Sequence, residues 1–439
     1  MLKSVHLKNF KLHEDTTIEA APITVFIGPN NSGKSSIFQA LLLLRQAALR
    51  NDQYLCQPPA AHVPSVSEPY QYSSLLSVDV GKFEEIVRES GEDVHLGFTG
   101  VVRAQRPIGR VEQAVVNTQL RIRTNELAYH TGSLEVAGTN TTWEFVRGRS
   151  PKTPIIQLPG VKYFLQISPT FQLTGHGGYE YDRQKQGFTP PPEALLEYNE
   201  VSQWLGAVPS SLLRSIHPVF PLRGFEEWGY PITENPPGNV ELMTLHDRAL
   251  ALPNALASDR RLKERLSEQL SDLLHISIDF EVVPGKRVKI WAKHTSDSRS
   301  ETLFANEGTG ANQIPFIFVP ILLTRSNETI LLSEPEAHLH PKRQCELTRM
   351  LLTVAKKENI QFFIETHSEH VLHEVLNAIG RGEWTKDDVA LHYFENVEGT
   401  AQVKRLGINE HGQVDGGLPG FFEQSLRELT EFLDALKKT

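Results

Sequence analysis

The sequence predicts an α/β fold: a largely parallel sheet with helices on its faces, interrupted by an antiparallel β subdomain and a helical insertion. Three observations predict it. Ile23-Thr24-Val25-Phe26-Ile27 is an apolar, β-branched run that passes through a glycine loop into Ile37–Leu44, a run of helix formers. Residues 75–180 alternate in period two with frequent Gly, Thr and Asn, as in Val115-Val116-Asn117-Thr118-Gln119-Leu120-Arg121-Ile122-Arg123, the pattern of antiparallel strands. The last third alternates strand patterns with helix patterns, which implies parallel strands joined by crossover helices.

In chain order, Leu2–Asn9, Thr16–Glu19 and Ile23–Gly28 read as strands with turn residues between them. The helix after the glycine loop covers 34–50, and the polar, proline-containing stretch 51–74 reads as loop. Ser150–Pro154 and Thr189–Pro192 punctuate the β region. Helical patterns follow at 192–215 and 241–275, separated by Pro218–Pro237, which reads as extended and irregular. Strands are then expected at Ile276–Val283, Arg287–Ala292, Thr329–Leu332, Ile360–Glu365, 389–394 and 400–407. Helices are expected from 309, over 341–357, over 369–379 and at Phe421–Lys437. The expected organisation is a first lobe over 1–190 with the glycine loop and the β subdomain, a helical insertion over 191–275, and a second lobe over 276–439. The sequence holds no long heptad segment.

At 439 residues the chain is long for one compact unit. Its 39% hydrophobic and 22% charged residues supply a sizeable core. No apolar run reaches the length of a membrane span, the longest lying near Ile314–Leu323. Met1-Leu2-Lys3-Ser4-Val5-His6 begins with strand-like alternation, so no signal peptide is expected. Cys56 and Cys345 stand far apart without a CxxC, which argues against a zinc site or a disulfide framework and for a reducing cytoplasm. The net charge of −9 offers no basic surplus for clamping DNA. The local basic run Arg260-Arg261-Leu262-Lys263-Glu264-Arg265 is interrupted by acid and reads as a solvated helix face.

Chemistry enters with Gly28-Pro29-Asn30-Asn31-Ser32-Gly33-Lys34-Ser35-Ser36, which fills G-x-x-x-x-G-K-[ST] between a strand and a helix. Backbone N–H groups and the helix N-terminus cradle phosphates, Lys34 reaches the β- and γ-phosphates, and Ser35 ligates Mg²⁺. This chain is expected to bind a nucleoside triphosphate. Such a site also needs an acid to order Mg²⁺ and another to activate the attacking water. Two buried strands end in suitable polar clusters: Ser333-Glu334-Pro335-Glu336-Ala337-His338-Leu339-His340-Pro341 and Thr366-His367-Ser368-Glu369-His370. A competing reading is a metal site: at period two, Glu334, Glu336, His338 and His340 would share one face of an extended segment, with His367 and His370 nearby. The two prolines and the position after a buried strand favour the nucleotide.

These motifs resemble the ABC-type ATPases of the RecF/SMC/OLD group, and most closely the stand-alone OLD-like ATPases of bacterial anti-phage defence. The N-terminal frame through Ser36 resembles the group's opening, Glu334–Pro341 its Walker B and D-loop, and Thr366–His370 its switch-histidine segment. Asn306-Glu307-Gly308-Thr309-Gly310 falls at the place of the signature motif, and Val78–Val87 resembles the segment after the Q-loop. The resemblance implies a two-lobed ABC-type head that binds ATP and Mg²⁺. It implies that Glu334 polarises the attacking water, that His367 meets the γ-phosphate, and that Gly308 caps the nucleotide of a second subunit in a head-to-tail ATP sandwich. Ser333 stands where the group has a Walker B acid and Asn306 where it has a serine, with Glu336 a candidate to compensate. A slow ATPase or ATP-gated switch is therefore expected.

The output that the resemblance implies is a sensor or scaffold, a dimer or higher oligomer, that controls a separate effector such as a nuclease. The alternative is a RecF-like ATPase that binds DNA directly. The stretch after His370 is too short for an OLD-type nuclease domain, and Asp387, Asp388 and Asp415 are too isolated for a two-metal site.

Overall fold

The computed structural model describes residues 1–50, 83–105, 111–123, 126–136, 139–146, 155–158, 161–164, 211–221, 223–232, 245–294 and 301–417. The loop expected over 51–74, Val78–Lys82, the punctuation at 150–154 and 189–192, the helical pattern over 192–210 and the closing helix lie outside the described residues.

The first elements are β1 (Leu2–Phe10), β2 (His13–Glu19), β3 (Ile23–Ile27), α1 (Lys34–Arg50) and α2 (Phe83–Ile86). Strands β4 (Val94–Gln105), β5 (Val111–Arg123), β6 (Glu126–Val136), β7 (Thr139–Val146), β8 (Ile155–Leu158), β9 (Val161–Phe164), β10 (Ile216–Val219) and β11 (Tyr230–Pro231) follow. Then come α3 (Leu245–Ser258), α4 (Arg260–Leu274), β12 (Ile276–Val283), β13 (Arg287–His294), β14 (Glu301–Leu303), α5 (Thr309–Asn312) and α6 (Ile314–Leu323). The last are β15 (Thr329–Ser333), α7 (Pro341–Glu358), β16 (Gln361–Glu365), α8 (Glu369–Gly380), β17 (Val389–Val397) and β18 (Thr400–Leu406).

The central sheet has the order β10-β15-β16-β3-β17-β18. Its first five strands are parallel, and β18 returns antiparallel to β17. Strands from both ends of the chain therefore make one sheet, with β3 between β16 and β17. A second sheet, β2-β1-β4-β5-β6-β7, is antiparallel throughout, and its strands β4–β7 are the described part of the alternating stretch read as antiparallel strands. A smaller antiparallel sheet joins β11, β13, β12 and β14.

Side chains on a strand alternate between faces, and the central sheet sorts its residues accordingly. Phe26, Leu331 and Phe363 join the core that holds α1 and the antiparallel sheet. Ile23, Val25, Ile27, Ile330, Leu332, Phe362 and Ile364 join the opposite core, with α4, α6, α7 and α8. Helix α1 is covered by sheet on both sides, so its run from Ile37 to Leu44 is buried all round, with Gln39 alone half-buried. Helix α4 is amphipathic instead: Leu262, Leu266, Leu270 and Leu273 are buried, and its basic residues lie on the other face, as its sequence implied. Gln361 knits the two large sheets together. Its side chain accepts from the Leu2 N–H at 2.8 Å and from Thr329 Oγ1 at 2.9 Å, and donates to the carbonyls of Leu2 at 2.8 Å and Ala21 at 3.0 Å.

Two segments depart from expectation: Phe83–Ile86, inside the stretch read as antiparallel strands, is a short helix, and an edge strand stands where the sequence reads as irregular. Ile216–Val219, which overlaps the stretch read as irregular, is the edge strand of the central sheet, in parallel register with Thr329–Leu332. Pro218 has no N–H to give to a ladder, which an edge strand tolerates, and four residues are too few for a periodic signal. Among the described residues the longest helix is α7 with 18 residues, so they contain no long coiled coil. No described helix is long and apolar enough to cross a membrane.

Candidate functional site

Strand β3 ends at Ile27 and the chain turns at once, with φ +142 at Gly28 and +95 at Gly33. Gly28 has neither the conformation nor the room for a side chain, because an added Cβ would stand 2.1 Å from the Phe394 carbonyl oxygen. Asn31 adopts a left-handed φ of 57, which asparagine tolerates, and its carbonyl accepts from Asn396 Nδ2 at 2.9 Å. From the other side, buried His13 donates from Nε2 to the Gly33 carbonyl at 3.0 Å and accepts at Nδ1 from Thr16 Oγ1 at 3.0 Å. Burial holds this imidazole below its ordinary pKa, so it braces the loop as a neutral group. Pro29, Asn30 and Asn31 are exposed, whereas Gly28, Ser32 and Ser36 are buried, and the Ser36 N–H donates to the Gly33 carbonyl at 3.1 Å.

Lys34 is buried, and its ammonium donates to the carbonyls of Gly28 at 2.9 Å and Pro29 at 2.7 Å. Burial lowers its pKa, and the nearby carboxylates of Glu365 and Glu334 oppose that shift. A buried cation at the mouth of a glycine loop is what polyphosphate recognition needs. Ser35 lies in the first turn of α1, and its hydroxyl donates to a carboxylate oxygen of Glu365 at the tip of β16.

Neighbouring strand tips carry the rest. Ser333 closes β15 and is the register partner of Glu365 on β16, which lies between β15 and β3. Glu334 follows with a left-handed φ of 45, its N–H donating to the Glu365 carbonyl at 2.8 Å. Arg223 holds that conformation. Its guanidinium donates to the carbonyls of Ser333 at 2.9 Å and Glu334 at 2.6 Å, and to Phe220 at 2.5 Å. Burial lowers the Arg223 pKa to about 10, which leaves it charged at neutral pH. The Glu334 carboxylate lies 3.8 Å from His367 Nε2, and both side chains reach solvent. Burial, and then the charge of Lys34, lowers the His367 pKa, so the ring is neutral at pH 7.

Glu336 turns the other way. It is buried, and its Oε1 accepts from Thr366 Oγ1 at 2.6 Å and from the His367 N–H at 3.0 Å, while Oε2 has no hydrogen-bond partner among the described residues. It thus positions the backbone under His367. The competing metal-site geometry is absent, because 335–338 form a turn instead of an extended segment. His340 caps α7 by accepting from the Lys342 N–H, and no group of three metal-ligating side chains occurs among the described residues.

The segment Asn306–Gly310 lies apart from the phosphate loop. Asn306 ends a short 3-10 turn, and Gly308 precedes α5 with φ −54. A Cβ built on Gly308 meets nothing within 4 Å, whereas one on Gly310 would lie 2.5 Å from the His338 carbonyl oxygen. Gln313 donates to the Ala337 carbonyl, so this segment packs on the turn after Glu334. Lys34, Ser35, Ser333, Glu334 and His367 therefore follow or close the C-terminal ends of the central strands β3, β15 and β16, and Asn306 and Gly308 do not. Sequence reasoning missed Arg223, His13 and the contact of Glu365. The last two sit at legible places, a strand start and a strand tip, but their partners are remote in sequence.

The donor set fits a magnesium nucleotide. Ser35, Glu334 and Glu365 offer hard oxygens, and the glycine loop offers a cradle that a Cβ at Gly28 would fill.

Residues 1–94 and 253–372 match the family model described as AAA ATPase domain, and residues 385–432 match one described as a protein of unknown function. Comparison with curated proteins gives no match. Among solved structures, the chain is similar to the SMC head domain from Thermotoga maritima, at 13% identity and a TM-score of 0.41, covering 93% of this chain and 99% of that one. It is similar to an SmcHead bound to the C-winged helix domain of ScpA, at 12% identity and a TM-score of 0.45, covering 93% and 98%. A Smc head domain with an extended coiled coil, bound to the C-terminal domain of ScpA and derived from Pyrococcus furiosus, is similar at 13% identity and a TM-score of 0.41, covering 98% and 99%. The phosphate loop, Glu334, Glu365 and His367 all fall within the two segments that make up the matched AAA ATPase domain.

Proposed function

We propose that the chain is an ATP-binding, slowly hydrolysing ATPase whose heads pair head to tail and regulate a separate effector, such as a nuclease, in cytoplasmic anti-phage defence. The observation that supports it best is the placing of Lys34, Glu334 and His367 just after the C-terminal ends of β3, β15 and β16. When bound, Mg²⁺ neutralises phosphate charge. The remaining work belongs to the chain. Lys34 exchanges its two loop carbonyls for phosphate oxygens, and the loop N–H groups hold the phosphates in place. Glu334 orients a water and accepts its proton, and neutral His367, 3.8 Å away, holds its place beside it. Gly308, with open space around it, is the point where a second copy's nucleotide would be capped.

Binding and hydrolysis by purified chain separate the parts of this reading. Lys34→Ala is expected to lose ATP binding while folding normally. Glu334→Gln is expected to bind ATP and to hydrolyse it at least about a hundredfold more slowly. Unchanged ATP affinity in Lys34→Ala would refute the phosphate-loop reading. Co-purification with a nuclease encoded nearby supports the effector role, and salt-sensitive binding to plain duplex DNA supports the RecF-like alternative instead.

A further inference from the structure

We infer that Glu365, at the tip of β16, supplies the Mg²⁺-site carboxylate that β15 lacks at Ser333. The inference rests on the nucleotide reading above and goes beyond it by assigning the metal's acid to a different strand. A Mg²⁺ site in a phosphate-loop protein uses the loop hydroxyl, phosphate oxygens, waters and one or two carboxylates. On β15 the residue at the tip is Ser333, whose hydroxyl brings no charge. Its parallel register partner on the next strand is Glu365. Strand β16 is the one adjacent to β3, so a carboxylate at its tip stands beside the loop that β3 feeds.

The two side chains already touch. The Ser35 hydroxyl donates to the Glu365 carboxylate, which leaves the lone pairs of Ser35 Oγ to face a cation. Glu365 is 4% exposed, and the charges of Lys34, Glu334 and Glu336 act on it. Lys34 and Arg223 thus stand against three carboxylates, and a divalent cation offsets the negative charge that remains. Burial raises the Glu365 pKa while the Ser35 hydrogen bond and Lys34 oppose the rise. Glu336, the other candidate, uses one oxygen for Thr366 and the His367 N–H while its other oxygen has no hydrogen-bond partner among the described residues, and it is Glu365 that meets the Ser35 hydroxyl. Moving the acid one strand over keeps it against the same hydroxyl and leaves Glu334 free to handle the water.

The test is a Mg²⁺ titration of fluorescent ATP-analogue binding by the full chain, with a metal-free arm containing EDTA. Glu365→Gln keeps the shape and an acceptor for Ser35 but removes the charge. It is expected to raise the Mg²⁺ concentration at half-saturation by about 10- to 100-fold, the usual effect of losing such a partner, with metal-free binding unchanged. Glu365→Asp is expected to fall between. Adding Ser333→Asp to Glu365→Gln is expected to restore the Mg²⁺ response to within about threefold of wild type, which a merely structural role for Glu365 would not allow. A Mg²⁺ response that Glu365→Gln leaves unchanged, in a wild-type protein that binds the nucleotide with Mg²⁺, overturns this inference alone. Absence of nucleotide binding by the wild type overturns the nucleotide reading and this inference with it. If Glu365→Gln does not fold, Glu365→Asp decides, and a wild-type Mg²⁺ response there counts against the assignment.

Discussion

Arg223→Met should slow ATP hydrolysis without weakening ATP binding. The guanidinium donates to the carbonyls of both Ser333 and Glu334. Those carbonyls belong to the two peptide planes that flank the Glu334 α-carbon, so one rigid group fixes both dihedrals of that residue. The conformation it fixes is left-handed, at φ 45, which costs a residue with a side chain roughly 1 kcal/mol. Each hydrogen bond contributes about 1 kcal/mol net, so the two bonds of Arg223 to Ser333 and Glu334 hold the turn with about 2 kcal/mol against about 1 kcal/mol of strain. The balance of about 1 kcal/mol keeps Glu334 in place in about five molecules out of six.

Methionine keeps the length and apolar bulk but donates nothing. The strain is then unopposed by Arg223, and about 1 kcal/mol favouring release leaves Glu334 in place in roughly one molecule in six. The turnover rate should fall about fivefold, and ATP affinity should stay within about twofold, since the bonds of Arg223 go to the Glu334 turn and to Phe220 instead of the phosphate loop. Arg223→Lys should fare little better, because a point charge cannot bridge two carbonyls as a planar fork does. Phosphate release at saturating ATP, alongside analogue binding and a melting curve, makes the measurement. A folded Arg223→Met that turns over at the wild-type rate, or that loses tenfold or more in ATP affinity, refutes the clamp.

Gly308→Leu should melt within about 0.5 kcal/mol of wild type, because no atom lies within 4 Å of the added Cβ, yet bind ATP without hydrolysing it. Mixing it with Lys34→Ala should restore one working site per pair, and a dead mixture of two folded, associating variants would refute the trans site. Gly310→Ala should instead lose about 1–3 kcal/mol of stability, since its Cβ would lie 2.5 Å from the His338 carbonyl oxygen. Among the groups that set the pH dependence of stability are His13, His95, His367 and His392, each lowered in pKa chiefly by burial. Their folded-state pKa values lie below the ordinary value of about 6.5, so between those values and the ordinary one the unfolded chain binds more protons and acidification destabilises. Each adds at most about 1.4 kcal/mol per pH unit. Melting temperature should therefore fall as pH drops below about 6.5, and the slope should flatten in His13→Gln; an unchanged slope would refute the assignment to His13.

Much of the fold was legible because its signals are local. The strands β3, β15 and β16 are continuous apolar runs, as strands buried on both faces must be, and their residues divide between two cores as period two requires. The antiparallel sheet announced itself by alternation. Strand β10 did not, because a four-residue edge strand containing Pro218 has neither an apolar run nor a period. Its neighbour Arg223 was hidden for the same reason: it lies in a stretch whose sequence looks irregular, and its value comes from the backbone it reaches.

The site divides along the same line. The phosphate loop is read whole from nine consecutive residues, since strand, glycines, lysine and serine act on a phosphate within one turn of chain. Glu334 and His367 were legible as polar residues at strand tips. The pairing of Ser35 with Glu365 was not, although both residues were in view, because 330 positions separate them. That pairing depends on strand order, and composition and spacing leave strand order open. Only when β16 is seen to lie between β15 and β3 does the serine at 333 lose its status as a missing charge. The sheet then places an acid one strand nearer the phosphate loop, against the hydroxyl that the metal needs. A motif read along the chain reports a substitution, while the same motif read across the sheet reports where the charge has gone.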